Sequence, residues 1–349
     1  MPAAPDPGDR VRAEILDPRT DPEPDYWPRL RATAGLRADW DWRVLAAQAW
    51  GARTIQLITV LFDGDAPVAV VNAAWLGAPV HRFSFNAAGS RPWLGAVHVR
   101  GPGSGAVPGW WLADGVPLSV LTDAYARAMR RELGAGCLAL VLRQVTAEQA
   151  ATVRSRKLVR VTEPVWRLPT HRWADKEQWL MSLTRSRRSN LRGILRKVAE
   201  NEDLEVRSHR ATEEIDEVRV IEAMRWNDDK YAGGIAPRIR VLNEYMRALM
   251  RQPDVYSYTY TERSTGQLIA FGMVFDHPTT PIVRSWTQRP AAEGGAKFLY
   301  FYHLAKQVEW AVGHGREWVE LGKGKSAEKK SLGAEPSEQL AMAVPIRPW

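Results

Sequence analysis

A single cysteine in 349 residues leaves no material for a disulfide framework or a cysteine-based metal site. That residue, Cys137, lies in the apolar run Cys137-Leu138-Ala139-Leu140-Val141-Leu142, where a thiol reads as a small buried hydrophobe. No stretch approaches the roughly 18 apolar residues that a membrane-spanning helix needs. Met1 to Arg10 is rich in proline and lacks the basic, then apolar, pattern of a secretion signal. The expectations are a cytoplasmic protein without membrane insertion, monomeric, with a disordered segment over residues 1–10. The seven histidines are scattered, with no Ser-His-Asp order and no cluster of metal ligands, so neither a metal nor a tightly bound cofactor is expected. Acidic residues are missing altogether from Gln178 to Ala199.

What is present is an ordinary globular composition, 45% hydrophobic and 25% charged, in a chain long enough for two cores. A formal charge of +8 and a pI near 9.7 favour an anionic partner such as RNA, phosphates or coenzyme A.

Hydrophobic periodicity divides the chain into two similar halves. The first reads as a strand at Val11 to Arg19, helices at Tyr26 to Leu36 and Trp40 to Ala52 with Asp39 as N-cap, and a three-strand meander. The meander runs through Ile55 to Phe62, the hairpin turn Asp63-Gly64, Pro67 to Trp75 and Val80 to Phe85. A helix at Pro117 to Leu133, a strand at Cys137 to Leu142, a helix at Ala147 to Lys157 and a strand at Leu158 to Leu168 follow. The second half repeats the order: a strand at Leu204 to Arg210, helices at Glu213 to Asp228 and Arg238 to Arg251, and strands at Val255 to Glu262, Gln267 to Phe275 and Ile282 to Thr287. A helix from Lys297 to Val312, a strand at Trp318 to Leu321, a helical turn near Ala327 to Leu332 and a strand at Gln339 to Ile346 complete it. We read an internal duplication of about 150 residues per copy, with domains at 11–170 and 201–349 and the catalytic one second.

Between the copies, residues 171–200 form a basic helical linker. Leu180, Leu183, Leu191, Ile194, Leu195 and Val198 fit one helical face, while Arg185, Arg188, Arg192 and Arg196 line another at i, i+3, i+7 and i+11, with Arg187 and Lys197 nearby. A face carrying one sign of charge fits a phosphate backbone or a donor tail, the other reading being a solvated linker helix.

The second half carries the candidate chemistry. A strand that turns through small residues into a helix presents unpaired N–H groups and a positive helix end. Ile282 to Thr287, the turn Gln288-Arg289-Pro290-Ala291-Ala292-Glu293-Gly294-Gly295-Ala296 and the helix after it make such an anion site, with Gln288, Arg289, Gly294, Gly295 and Ala296 as the candidate binding residues. A second glycine turn, Arg100-Gly101-Pro102-Gly103-Ser104-Gly105, is separated by about ten residues from the helix at Pro117. His303, in the long helix beside apolar neighbours, reads as core or rim. Asp228, Asp229, Lys230 and Tyr231 end a helix where an acceptor pocket can form, and Trp286 lies on the strand before the turn. Of the sixteen tryptophans, Trp40, Trp42, Trp50 and Trp75 read as core of the first half. Trp110 and Trp111, adjacent on a loop, cannot both face one core, so at least one is a candidate for stacking on a base or flat substrate, with packing between domains the other reading.

The element order, with a phosphate-type turn between the fourth strand and the following helix, resembles the GNAT acyltransferase fold. The duplication resembles the Fem peptidoglycan aminoacyltransferases and their BioF2-like relatives, in which the fifth strand of the second domain runs into a glycine turn and an aromatic-Lys-x-x-aromatic-Gly pattern. Here that segment reads Leu321-Gly322-Lys323-Gly324 and Glu328-Lys329-Lys330-Ser331-Leu332-Gly333-Ala334, with Lys329 on the family's lysine and Glu328 in place of an aromatic. The resemblance implies an α/β protein of two tandem GNAT-like domains, mixed central sheets flanked by helices, joined by the basic linker. It also implies amide-forming acyl transfer to an amine of a small molecule or cell-wall peptide precursor, with aminoacyl-tRNA as donor, or acetyl-CoA in the alternative. Negative charge gathers on the carbonyl oxygen in such a reaction, and a fixed cation there lowers the barrier. Lys329 is the candidate for that role, with Lys323, Lys325 and Lys330 near it, and Glu320 is the candidate base. A binding protein on a transferase fold, contacting RNA without catalysis, is the reading from another class.

Overall fold

The apolar run of Gln56–Asp63 is buried on both of its faces, as a strand must be when helices cover a sheet from either side. Leu57 and Leu61 enter one core with Val71, Trp75, Leu121, Tyr125 and Leu140, while Ile58, Val60 and Phe62 enter another with Trp27, Trp42 and Leu45. A computed structural model describes residues 11–52, 54–78, 93–103, 106–230, 243–296 and 298–346. Residues 1–10 and the strand expected at Val80 to Phe85 lie outside them.

The elements in chain order are β1 (Val11–Leu16), α1 (Trp27–Thr33), α2 (Trp42–Gly51), β2 (Gln56–Asp63), β3 (Ala66–Ala78), β4 (Leu94–Val99), β5 (Trp110–Leu112), α3 (Leu118–Leu133), β6 (Cys137–Val145), α4 (Ala147–Thr152) and β7 (Leu158–Leu168). Then come α5 (Lys176–Ser182), α6 (Arg185–Ala199), β8 (Leu204–Arg210), α7 (Glu217–Lys230), α8 (Asn243–Met250), β9 (Val255–Glu262), β10 (Leu268–Phe275), β11 (Ile282–Gln288), α9 (Leu299–Gly313), β12 (Val319–Gly322), α10 (Ser326–Ser331) and β13 (Glu335–Pro345).

The chain forms two compact units, one of Met1–Glu163 with Glu338–Trp349, the other of Pro164–Ser337. In the first, the sheet runs β1-β2-β3-β4-β6-β13, with β5 paired to β3. In the second it runs β8-β9-β10-β11-β12-β7. Each is antiparallel through its first four strands, then parallel at β4 to β6 or β11 to β12. The architecture is α/β with mixed sheets and helices.

Three differences from the sequence reading have local causes. The last strand belongs to the first unit: Leu340, Met342 and Val344 sit in its core, and β13 pairs with β6 from Leu340↔Val145 to Pro345↔Ala139. The basic segment is two helices broken at Leu183, where Thr184 caps α6 by accepting from the Arg187 N–H. Rather than standing between units, it packs on the second, with Trp179, Leu180, Leu183 and Leu191 in one core with Leu304 and Val308 of α9. At α2 the N-cap is Asp41, which accepts from Arg43 and Val44, while Asp39 is buried in a short 3-10 turn and Trp50 is exposed.

Candidate functional site

In the second unit, β11 and β12 are parallel neighbours that meet at one register position, Ile282 with Glu320. Past it β11 continues to Gln288, held on its other edge by β10. β12 stops at Gly322, whose φ of +69° turns the chain away, and Gly324 and Lys325 follow in the same left-handed region at +73° and +49°. Among the described residues, the β12 side of β11 therefore lacks a strand partner over most of its length. Its register to β10 shifts between Met273 and Val274. α7 and α8 hold one face of it, Thr287 Oγ1 donating to the Ala223 carbonyl at 2.6 Å and Arg284 Nη2 to the Tyr245 hydroxyl at 3.3 Å.

On the opposite face lies α9. His303 is fully buried, with Nδ1 2.9 Å from the Tyr260 hydroxyl and its ring stacked on Trp286 at 4.7 Å. Gly272 makes this possible, because a Cβ there would stand 2.5 Å from His303 Cε1. Burial pushes the imidazole down to about 3, so it is neutral at physiological pH and far too weak a base to take a proton from an amine. The core reading of His303 is the one its surroundings fit, and Trp286 is part of the same packing.

The start of α9 is ringed by cations. Lys197 Nζ lies 4.6 Å from the centre of the Phe298 ring, the Arg187 guanidinium 4.9 Å from that of Phe301, and Lys325 Nζ 4.3 Å from that of Tyr300. Two come from α6, which crosses α9, and the third from the turn after β12. The sequence offers them as stray basic residues; only folding supplies the aromatic faces. A helix N-terminus adds positive potential at the same place.

The turn before α9 is a different device from the one expected. Glu293 and Gly295 N–H groups both donate to the Pro290 carbonyl at 2.9 Å, and Gly294 donates to Ala291 at 3.3 Å, so these donors are committed inside the turn. Gly295 is packed against the Arg289 carbonyl. The Arg289 side chain points back along the β9–β10 hairpin, donating to Gln267 Oε1 at 2.9 Å and pairing with Glu262 at 3.5 Å. Gln288 ends β11 beside Ala270, and Ala296 accepts the Leu299 N–H at 3.1 Å.

Lys329 is buried in α10, its ammonium donating to the carbonyls of Gly322 at 3.0 Å and Lys323 at 2.7 Å. It clamps the turn that leaves β12. Glu320, equally buried, accepts from Arg167 Nε at 3.2 Å and Nη2 at 3.1 Å, tying β12 to β7. Of the arginines on α6, Arg185 and Arg196 are exposed, Arg188 donates to the Met181 carbonyl at 3.0 Å, and Arg192 pairs with Glu177 of α5.

Trp110 and Trp111 correct the expectation of a stacking loop. They form a strand paired to β3, and a strand's period of two sends Trp110 into one core of the first unit and Trp111 against the other. The Asp229 side chain and Tyr231 lie outside the described residues. Among those described, no helix is long and apolar enough to cross a membrane, and no three His, Cys, Asp or Glu side chains converge as metal ligands. Cys137 is buried, its thiol pushed up to about 11 by desolvation.

No family model matches the chain, and no curated protein does. Solved structures do. A conserved protein of unknown function from Bacteroides thetaiotaomicron aligns at a TM-score of 0.57 and 13% identity, over 95% of this chain and 100% of that one. FemX aligns at 0.57 and 11%, over 94% and 96%. The C-terminal domain ascribed to a lysylphosphatidylglycerol synthetase of Agrobacterium fabrum aligns at 0.56 and 10%, over 91% and 90%. At these identities the likeness is one of fold alone: an α/β fold resembling that of FemX.

Proposed function

We propose that the chain is an acyltransferase forming an amide bond, and that its second unit receives an aminoacyl group from aminoacyl-tRNA. The observation that carries this is the ring of Lys197, Arg187 and Lys325 at the first turn of α9, beside the part of β11 that runs past the end of β12. Phosphates at the tRNA end would be neutralised there, and the exposed Arg185 and Arg196, with Arg188 and Arg192 on the same helix, extend the positive track for the backbone. The acyl ester then lies along β11. The amine nitrogen of a small molecule or peptide attacks the carbonyl carbon, a C–N bond forms, the C–O bond to the ribose hydroxyl breaks, and the proton lost by nitrogen passes to the departing oxygen. The field of the α9 terminus and its cations favours the charge that develops.

For Lys329 we propose a positioning role in place of direct oxyanion contact, since its ammonium is given to two carbonyls of the turn that carries Lys325. Glu320, held by Arg167, anchors β12 and is not assigned as the base. The names of two fold neighbours, FemX and a synthetase of lysylphosphatidylglycerol, point the same way. The repeated strand order of the two units is read as a duplication.

One observation favours acyl-CoA as donor instead: β12 stops at Gly322 while β11 runs on to Gln288, and an extended thioester arm would lie along that stretch. Against it stand the committed N–H groups of the Pro290 to Gly295 turn and the turned-back Arg289.

The test is binding of purified protein to bulk aminoacylated tRNA and, in parallel, to acetyl-CoA across a salt series, followed by transfer to a panel of amines. Micromolar tRNA affinity falling steeply with salt, with amide formed, is expected. Saturable coenzyme binding without tRNA affinity would replace the donor, and tRNA binding without transfer to any amine would leave a binding protein.

A further inference from the structure

The first unit contains a group of basic side chains that the reaction above does not use. β4 and β6 are parallel with His98 opposite Val141 and Val99 opposite Leu142. One more step of that register brings Arg100 beside Arg143, on the same sheet face as His98, since side chains alternate. Arg143 Nε lies 2.8 Å from His98 Nε2. A guanidinium can only donate, so Nε2 accepts and the ring proton of neutral His98 sits on Nδ1. Nδ1 is buried and has no hydrogen-bond partner among the described residues.

The surroundings hold these groups in place. Asn72 of β3 accepts the Arg100 N–H at 3.2 Å and donates Nδ2 to the Arg100 carbonyl at 2.8 Å. Gly109 folds back so closely that a Cβ on it would meet the Arg100 carbonyl carbon at 2.1 Å. No ion pair engages Arg100 or Arg143 among the described residues. Burial and then Arg143 hold the Arg100 guanidinium below its ordinary value, and burial, Arg143 and Arg100 push His98 down to about 4. The mixed-charge cleft of the second unit, about 280 Å³ against β8, differs in that its bases face acids, as at His209 and Glu214 3.7 Å apart.

We infer that Arg100, Arg143 and His98 form a site for a phosphate dianion, a phosphomonoester group or inorganic phosphate. Two guanidiniums match the double charge of a phosphate dianion, which a carboxylate does not carry, and their N–H forks supply donors for its oxygens. The donors are side chains, unlike the backbone donors of a glycine turn, and the inference stands apart from the choice of acyl donor.

The test titrates the full chain with inorganic phosphate, methyl phosphate, dimethyl phosphate and acetate by calorimetry, with His98 followed by ¹H–¹⁵N NMR. Saturable binding of phosphate and methyl phosphate is expected, weakened at least tenfold by Arg143→Gln, an exposed position, and by Arg100→Gln. The bound dianion should move the His98 titration midpoint upward, because it offsets the two guanidiniums. Absence of phosphate binding by the wild-type chain, equal binding by a correctly folded Arg143→Gln chain, dimethyl phosphate or acetate binding as tightly as methyl phosphate, or an unmoved His98 midpoint at saturation would each overturn the site.

Discussion

In the first unit, β4 pairs with its parallel neighbour β6 from Gly95 to Val99; in the second, the corresponding strands β11 and β12 meet at Ile282 and Glu320 alone. The elements before them follow the same order, so the difference lies in the strand that comes after the helix. β6 is a nine-residue strand whose Leu140 and Leu142 are wholly buried, and apolar burial rewards full pairing. β12 has four residues and ends in a glycine at positive φ. One scaffold therefore gives a zipped half, with its arginines on a sheet face, and an opened half, with its cations gathered at the mouth of a helix.

Cross-linking gives that comparison its largest readout. Cysteines at Ala96 and Ala139, a register pair of adjacent parallel strands, have a separation within the range a disulfide spans, and oxidation should link nearly all of the chain. Arg284→Cys with Gly322→Cys, two residues beyond Ile282 and Glu320, should stay reduced under the same conditions. Mass spectrometry after oxidation reads both, with Cys137 inert because it is buried. Complete linkage of the second pair would mean that β11 and β12 stay together.

Next in size is the packing that holds α9 over the opened edge. Gly272→Val puts two methyl groups into the His303 ring, which Trp286 and Tyr260 keep from moving. Overpacking of this kind costs about 3 kcal/mol. Chemical denaturation should show that loss, and a stability within about 0.5 kcal/mol of wild type would mean that the ring yields.

Lys329→Met comes third. Methionine keeps the length of the side chain and removes the donor from the Gly322 and Lys323 carbonyls, at a cost of about 2 kcal/mol. Lys330→Met, at an exposed position, should stay within about 0.5 kcal/mol of wild type. If Lys329 positions the turn, transfer should fall more than tenfold while tRNA affinity holds; a fall in affinity alone would move the residue to donor binding.

The sequence made the regular elements readable where alternation is clean and turn residues bound it. β7, β8 and β9 have the expected limits, Leu158–Leu168, Leu204–Arg210 and Val255–Glu262. β4 was not legible, because Leu-Gly-Ala-Val-His-Val carries two weak strand formers among its six residues. β5 was hidden as a loop by the glycines and prolines around it. The return of β13 to the first unit rests on long-range pairing that no local window encodes. In the candidate site, the glycine turn after β12 and the lysine of α10 could be seen. What the ammonium does could not, since a lysine among lysines reads as surface until the backbone curls over it. Arg187, Lys197 and Lys325 were visible as charges, but their convergence depends on α6 crossing α9, a packing decision made by Leu191 and its neighbours.

The smallest expected effect separates the units by pH. His303 in the second is held down to about 3 and His98 in the first to about 4, both mainly by burial, against an ordinary value of 6.5. Each is neutral in the folded chain well below the pH at which the unfolded chain takes up its proton. Between 6.5 and the depressed value the unfolded state binds more protons, so stability falls as pH falls, and above 6.5 neither ring contributes. From pH 7.5 to 5.5 the fully buried His303 should remove about 1.4 kcal/mol. His98, partly open to solvent, should remove less. A His98→Asn chain isolates the His303 contribution, and phosphate should flatten the His98 part alone by raising its folded midpoint toward 6.5. A denaturation series at the two pH values, with and without phosphate, measures both. If phosphate flattened the slope of the His98→Asn chain as well, the anion would be acting outside the Arg100 and Arg143 pair, and the division between a charged first unit and an opened second one would fail at its most sensitive point.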